Sequence, residues 1–163
     1  MDAESENLRL HRLSVEEAQA VLRREKQPGV SWALGFPSME HIAFLQAYVA
    51  EVTKRRDPGP FGLYLVVVNA DNLVIGGAGF VGPPDANGAV EIVVELAPSM
   101  RKVGYGGEAI AAIVGVARAN GARTVTTGTS VNNLLGQRAI ERGGLVEVSR
   151  DDGIVNYAID LTA

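Results

Sequence analysis

Apolar and polar positions change their spacing several times along the chain, and each change marks an element. Leu8, Leu10 and Leu13 alternate with polar residues, which predicts a short strand. Residues 1–6 precede it as an acidic, polar stretch expected to be a loose tail. Ser14-Val-Glu-Glu17 has the form of a capping box, a hydroxyl at the helix entry with a carboxylate three positions on. It predicts a helix over 15–25, in which Val15, Ala18, Val21 and Leu22 recur at helical spacing. Gln27-Pro-Gly29 ends it, and residues 28–38 read as a loop holding the sole tryptophan. Ser38 is placed to cap a second helix over 39–55, with Ile42, Leu45, Tyr48, Val49 and Val52 on one face; Asp57-Pro-Gly-Pro60 stops it.

The period then changes. Residues 61–69 form a continuous apolar run, the pattern of a strand covered on both faces. Asn69-Ala-Asp-Asn72 is a turn, and 73–81 a second strand that closes a hairpin. A loop over 82–88 with strong turn chemistry leads to a third strand over 89–96, broken by Pro98. A helix over 105–120 buries Ile110, Ile113, Val114 and Ala117 and ends at Gly121. A strand over 123–129, a helix over 133–142 and two strands over 145–149 and 154–161 complete the chain. The order β-α-α-β-β-β-α-β-α-β-β is neither regular βαβ alternation nor all-β. It fits one α/β (α+β) domain spanning 1–163, with a mixed sheet covered by helices on both faces.

Composition removes several function classes. With 163 residues, 47% hydrophobic and 21% charged, the chain is globular and long enough to bury a core. It has no cysteine, which excludes disulfides, zinc-thiolate sites and a thiol nucleophile. Its two histidines, His11 and His41, are far apart in sequence, which argues against a histidine metal site and a Ser-His-Asp hydrolase. Fifteen basic against nineteen acidic residues give a net charge of −4, opposite to what a nucleic-acid binder carries. The one basic cluster, Lys54-Arg55-Arg56, falls at a helix end, where it complements the dipole. No signal peptide and no membrane-length apolar run are visible, so a cytoplasmic location is expected.

The most informative segment is Arg101-Lys-Val-Gly104-Tyr-Gly106-Gly107-Glu-Ala109, between a strand and a helix. Glycines there let backbone N–H groups converge on a ligand, and the helix start adds its dipole, an arrangement suited to phosphate. Arg101 and Lys102 add charge at the rim. A P-loop would end in Gly-Lys-Ser/Thr, but Glu108 follows Gly107. A dinucleotide fingerprint matches in letters at Gly104, Gly106 and Ala109. It lacks the strand running straight into the turn and the acidic residue about 20 positions on. A plain glycine-rich helix start and a pyrophosphate cradle of acyltransferase type remain.

Arg101-x-x-Gly104-x-Gly106 resembles the acetyl-CoA signature of the GNAT superfamily of N-acetyltransferases. Glu91-Ile-Val-Val, Leu96-Ala-Pro98 and the run from Asn133 to Leu145 stand at the family's spacing. The likeness covers nearly the whole chain and is best over 61–161. The opening Leu8-to-Ala18 segment is most similar to the branch containing ribosomal-protein N-terminal acetyltransferases, whose members also acetylate other amines. The resemblance implies one mostly antiparallel sheet of six to seven strands with four helices, and a gap between strands 89–96 and 123–129 that receives acetyl-CoA. It implies a cradle from Val103, Gly104, Tyr105, Gly106 and Gly107, with Asn133 and Arg138 as further cofactor contacts and Leu96 as a backbone contact and oxyanion donor. It implies acetyl-CoA as the cosubstrate, with no metal needed. The partners are acetyl-CoA and an amine, with no nucleic acid or membrane; homodimers are common in the family, although no residue here marks an interface.

Two positions depart from the family pattern. Gly136 stands where a small hydroxyl or alanine is usual, and Ile140 where many members carry a tyrosine that protonates the leaving thiolate. Ser130 or a water is the substitute acid. Glu91 and Glu95 stand four apart on one strand face, unless a bulge intervenes; Glu91, where the resemblance places the family's catalytic glutamate, is the expected general base, and Glu95 the alternative. Trp32, Phe36 and His41 are the candidate substrate wall. The expected activity is direct acetyl transfer to a primary amine on a small molecule or a peptide N-terminus. The rival readings are a non-catalytic acyl-CoA-binding module and a purely structural domain.

Overall fold

The computed structural model describes residues 2–54, 57–101 and 104–162. In chain order its elements are β1 (Asp2–Glu4), β2 (Leu8–Arg12), α1 (Val15–Leu22), β3 (Ser31–Trp32), α2 (Met39–Lys54), β4 (Leu63–Val68), β5 (Leu73–Phe80) and β6 (Ala89–Leu96). They continue with α3 (Tyr105–Ala119), β7 (Thr124–Ser130), α4 (Leu134–Arg142), β8 (Val146–Asp151) and β9 (Ile154–Asp160). The strands lie in the order β1-β2-β4-β5-β6-β7-β9-β8, with β3 beside β5. Among the described residues only β3–β5 and β6–β7 run parallel. Their four helices and mostly antiparallel sheet match the expectation, with nine strands rather than six to seven.

The two additional strands have local causes. Residues 2–4, expected as a loose tail, pair with β2 instead, where Arg9 and His11 meet the Asp2 carboxylate at 3.5 and 2.8 Å. Ser31 and Trp32 pair with Leu73 and Val74, a part of β5 that β6 does not reach. The apolar run is confirmed as a central strand, since all six residues of β4 are buried. Helix α1 stops at Leu22, short of the expected end, because Arg24 turns the chain into the left-handed region at φ 60°. Its capping box is present as read, and Ser38 caps the start of α2 through the His41 N–H at 3.1 Å. Arg55 and Arg56 lie outside the described residues.

Helix α3 packs on the face that carries Leu8, Leu10 and Leu96, and α2 on the opposite face, where the His41 ring lies over Gly77. The core between them holds Leu8, Leu10, Ile75, Ile113, Val125 and Tyr157 with almost no exposure. Among the described residues no helix is long and apolar enough to cross a membrane.

Glu108, in the first turn of α3, joins that helix to the other end of the chain. Its carboxylate accepts from the Ser5 hydroxyl, from the Asn7 backbone and side chain at 2.7 and 3.0 Å, and from the Leu8 N–H at 3.1 Å. Partial burial pushes the carboxyl pKa up, but these donors outweigh it and hold it below its ordinary value. Glu108→Gln is expected to lower unfolding free energy by about 1–3 kcal/mol at neutral pH, since donors that had a charged acceptor lose it. The folded carboxyl is held below its unfolded value, so its contribution is complete above that value. It is lost as pH falls through the lowered folded one. Denaturant titrations of both proteins should therefore converge in acid.

Candidate active site

Strands β6 and β7 pair over only three residues, Ala89–Glu91 against Thr124–Thr126. Beyond that point β6 stays with β5 and β7 stays with β9. The two strands therefore diverge, and a cleft of about 540 Å³ opens between them. Every residue from Glu91 to Leu96 lines it. Successive side chains on a strand point to opposite faces, so the cleft passes through the sheet. Gly106 and Ile110 of α3 and Gly136, Ala139 and Ile140 of α4 line one end. Glu40, His41 and Phe44 of α2, with Leu63 and Gly77, line the other.

The register shows which backbone groups face the gap. The Val81 N–H donates to the Glu91 carbonyl at 2.9 Å, and the Ala97 N–H to the Ile75 carbonyl at 2.8 Å. Bonded pairs alternate along an antiparallel ladder. Glu91, Val93, Glu95 and Ala97 thus direct their main-chain groups to β5, and Ile92, Val94 and Leu96 direct theirs into the split. The Ile92 carbonyl accepts from the Thr127 hydroxyl at 2.9 Å, and the Leu96 carbonyl from Arg101 Nε at 3.0 Å. The Val94 N–H and carbonyl and the Leu96 N–H have no strand beside them.

At the α3 end, Gly104 enters the helix with φ 87°, and among the described residues no side chain caps α3. Its first N–H groups are thus left to an outside acceptor. Lys102 and Val103, expected in the cradle, lie outside the described residues. The paired glycines have a packing role that was not read from the motif. A Cβ at Gly106 would sit 3.1 Å from Ala139 Cβ, and one at Gly107 only 2.8 Å from Arg142 Cβ, so they admit α4 against α3. Gly106 also lines the cleft, whereas Gly104, Tyr105 and Gly107 do not.

Asn133 caps α4. Its Oδ1 accepts from the Gly136 N–H at 2.9 Å, and its Nδ2 donates to Thr129 Oγ1 at 3.0 Å. The folded-back amide occupies the space a Cβ at Gly136 would need, which accounts for glycine there. Asn133 lines the cleft, while Arg138 is exposed and does not. Ser130 accepts from the Asn132 N–H at 3.1 Å and stands outside the cleft lining. Ile140 is buried in the wall.

At the α2 end, no bulge separates Glu91 from Glu95: β6 pairs with β5 in regular register from Ile92 to Leu96. Both carboxylates therefore share a face. Glu91 is exposed at the closed base of the split; Glu95 is half-buried beside Gly77. Glu95 Oε1 meets Arg101 Nη2 at 2.7 Å. Burial pushes the Glu95 pKa up, Arg101 opposes this, Glu40 adds to it, and the result lies above the ordinary carboxylate value. Arg101, expected at the phosphate rim, is turned onto the end of β6.

His41 is 5% exposed, its Nδ1 has no hydrogen-bond partner, and burial lowers its pKa to about 4, so the ring is neutral. Of the three expected wall residues, only His41 lines the cleft. Phe36 is buried behind it, between Trp32 at 5.1 Å and His41 at 5.2 Å. Trp32 lines a separate pocket with Leu65 and Val67, because β3 holds it against the start of β5. The residues missed from sequence include Glu40, Phe44, Leu63, Gly77, Val94 and Thr127. A signal for Gly77 was available: Gly76, Gly77 and Gly79 inside one strand mark a close approach.

Comparison with known proteins bears on the family and the fold. Residues 7–146 match the family model of the acetyltransferase (GNAT) domain. A curated relative, an uncharacterised N-acetyltransferase of Bacillus subtilis, is 24% identical over 149 residues, covering 88% of each chain. A GNAT-family acetyltransferase of Bacillus anthracis superposes with TM-score 0.67 over all of both chains at 15% identity. A Vibrio cholerae protein provisionally assigned as a ribosomal-protein-serine acetyltransferase gives 0.67 over 98% of this chain and 97% of its own, at 14% identity. At these identities the structural likeness is one of fold.

The packing role of the glycines is testable by stability. In Gly107→Ala, overpacking against Arg142 costs about 1–3 kcal/mol, against a helix-propensity gain of about 1 kcal/mol. The net is a lower Tm. Gly115→Ala, where an added Cβ meets nothing within 4 Å, should raise Tm instead.

Proposed function

Because the chain belongs to the GNAT acetyltransferases, we propose that its cleft takes acetyl-CoA at the α3–α4 end and a primary amine at the α2 end, and transfers the acetyl group between them. The observation that carries this reading is the passage through the sheet, with an uncapped helix start at one end and a half-buried carboxylate at the other. The residues present suit acetyl-CoA. The N–H groups at the start of α3 suit its pyrophosphate. Its pantetheine amides can pair with the exposed edge at Val94 as an added strand would.

The bound thioester supplies an activated acyl carbon; the protein supplies the proton transfers and the geometry. An attacking amine is mostly protonated at neutral pH and must lose a proton before or during attack. Glu95 is the favoured base. Its raised pKa brings it closer to that of the amine, and it stands where the split is open, whereas Glu91 stands at the closed base. The Leu96 N–H, directed into the split, is the donor proposed for the oxyanion of the tetrahedral intermediate. Ser130 is not favoured as the acid, because it lies outside the cleft lining. A CoA thiol with an ordinary pKa of about 8.5 leaves without strong acid assistance.

Glu95→Gln is expected to lower kcat by about 10²-fold or more, while acetyl-CoA binding measured by calorimetry stays unchanged. The same loss in Glu91→Gln with normal turnover in Glu95→Gln would move the base to Glu91. Micromolar acetyl-CoA binding with no thiol release across an amine panel would instead assign a binding module. Because the Glu95 pKa is raised and the carboxylate is the active form, kcat/KM should fall on the acid side at a pH above the ordinary carboxylate range.

A further inference from the structure

The resemblance of the Arg101-x-x-Gly104-x-Gly106 run to a CoA signature places Arg101 among the cosubstrate contacts, but its side chain is committed elsewhere. Nη2 binds Glu95 Oε1 at 2.7 Å, and Nε donates to the Leu96 carbonyl at 3.0 Å. One guanidinium thus holds two neighbouring groups at the open end of the split. The first is the carboxylate on the α2 side. The second is the last β6 carbonyl that the ladder directs into the gap. We propose that Arg101 is a positioning residue for the base: it orients Glu95 by holding Oε1, leaves Oε2 for the acceptor, and fixes the end of β6 through the Leu96 carbonyl. This rests on the reading of Glu95 as the base.

The surroundings of Glu95 explain why such a residue is needed. From α2, Glu40 adds negative charge, and His41 is neutral at working pH. From its own strand, Glu91 stands on the same face. From β5 the neighbour is Gly77, which carries no side chain. Among the described residues lining the cleft, Arg101 is the only cation. Burial and Glu40 favour the protonated acid, and Arg101 alone opposes them. A guanidinium is suited to the task because its planar fork donates in two fixed directions, one to the carboxylate and one to the carbonyl. The pair is part-exposed, so its effect on the carboxyl is moderate rather than that of a fully buried ion pair.

The test compares pH profiles of kcat/KM for the wild type, Arg101→Gln and Arg101→Lys with one amine acceptor. The acceptor's own ionisation contributes equally to all three and cancels in the ratios. In Arg101→Gln the acid limb should move to higher pH by about one unit, so that activity compared at one pH on that limb falls roughly tenfold. Acetyl-CoA affinity by calorimetry should stay within about threefold. Arg101→Lys should return the limb toward the wild-type position, because the charge is kept, but with reduced kcat, because an ammonium cannot reproduce the fork. An unmoved limb in Arg101→Gln, whether or not acetyl-CoA affinity falls, overturns the proposal; a fall in affinity would return Arg101 to the cosubstrate. Should Arg101→Gln not fold, the lysine variant decides: wild-type kcat together with an unmoved limb refutes the positioning role. Glu95→Gln with undiminished turnover refutes the choice of base itself, a result distinct from an inactive Glu95→Gln beside an unmoved Arg101→Gln limb.

Discussion

The site depends on one interruption of hydrogen bonding. After Glu91 and Thr126, β6 and β7 cease to pair, although each continues for several residues against its other neighbour. A buried sheet normally satisfies its main-chain donors and acceptors within the ladder. Here the Val94 groups and the Leu96 N–H are turned toward a gap, while the carbonyls of Ile92 and Leu96 are satisfied by the Thr127 hydroxyl and Arg101. The gap is held open because each strand is anchored on its far side, β6 by five registered pairs with β5 and β7 by seven with β9. Closing it would break those ladders.

The helices complete the two ends by close approach, and glycine makes both approaches possible. Gly106 and Gly107 let α4 lie against the first turn of α3, so that the wall of Ala139 and Ile140 meets the helix start. Gly77 does the same on the other face, where a Cβ would overlap the His41 ring. That contact brings the first turn of α2, with Glu40 and His41, beside Glu95. The Glu108 network ties the start of α3 to residues 5–8, so the N-terminal end of that helix is braced against the turn between β1 and β2.

Much of this was legible locally. The capping box at Ser14, the Ser38 cap and the apolar periods placed the four helices and seven of the nine strands among the described residues, with errors mainly at their ends, because those signals act over three or four residues. The Glu91–Glu95 face and the helix start at Gly104 follow from the same short-range rules. The missed strands, Asp2–Glu4 and Ser31–Trp32, are too short to carry a period and exist only because a partner strand offers a free edge. Trp32 looked like a wall because it is a large aromatic in a loop. Pairing with Val74 carries it to a different pocket.

What the sequence by itself determined is therefore the set of elements, the family resemblance and the inventory of chemical groups: two carboxylates on one strand face, a glycine-rich helix start, and an asparagine before α4. What only the tertiary structure decided is which of these groups share a cavity and in what state. That Glu91 lies at the closed base of the split and Glu95 where it is open turns on where two strands over thirty positions apart stop pairing. The reorientation of Arg101 turns on a carbonyl that the β5–β6 register leaves free. Such facts arise from long-range register and burial, whose energies depend on residues distant in the chain, and no window of neighbouring residues contains them.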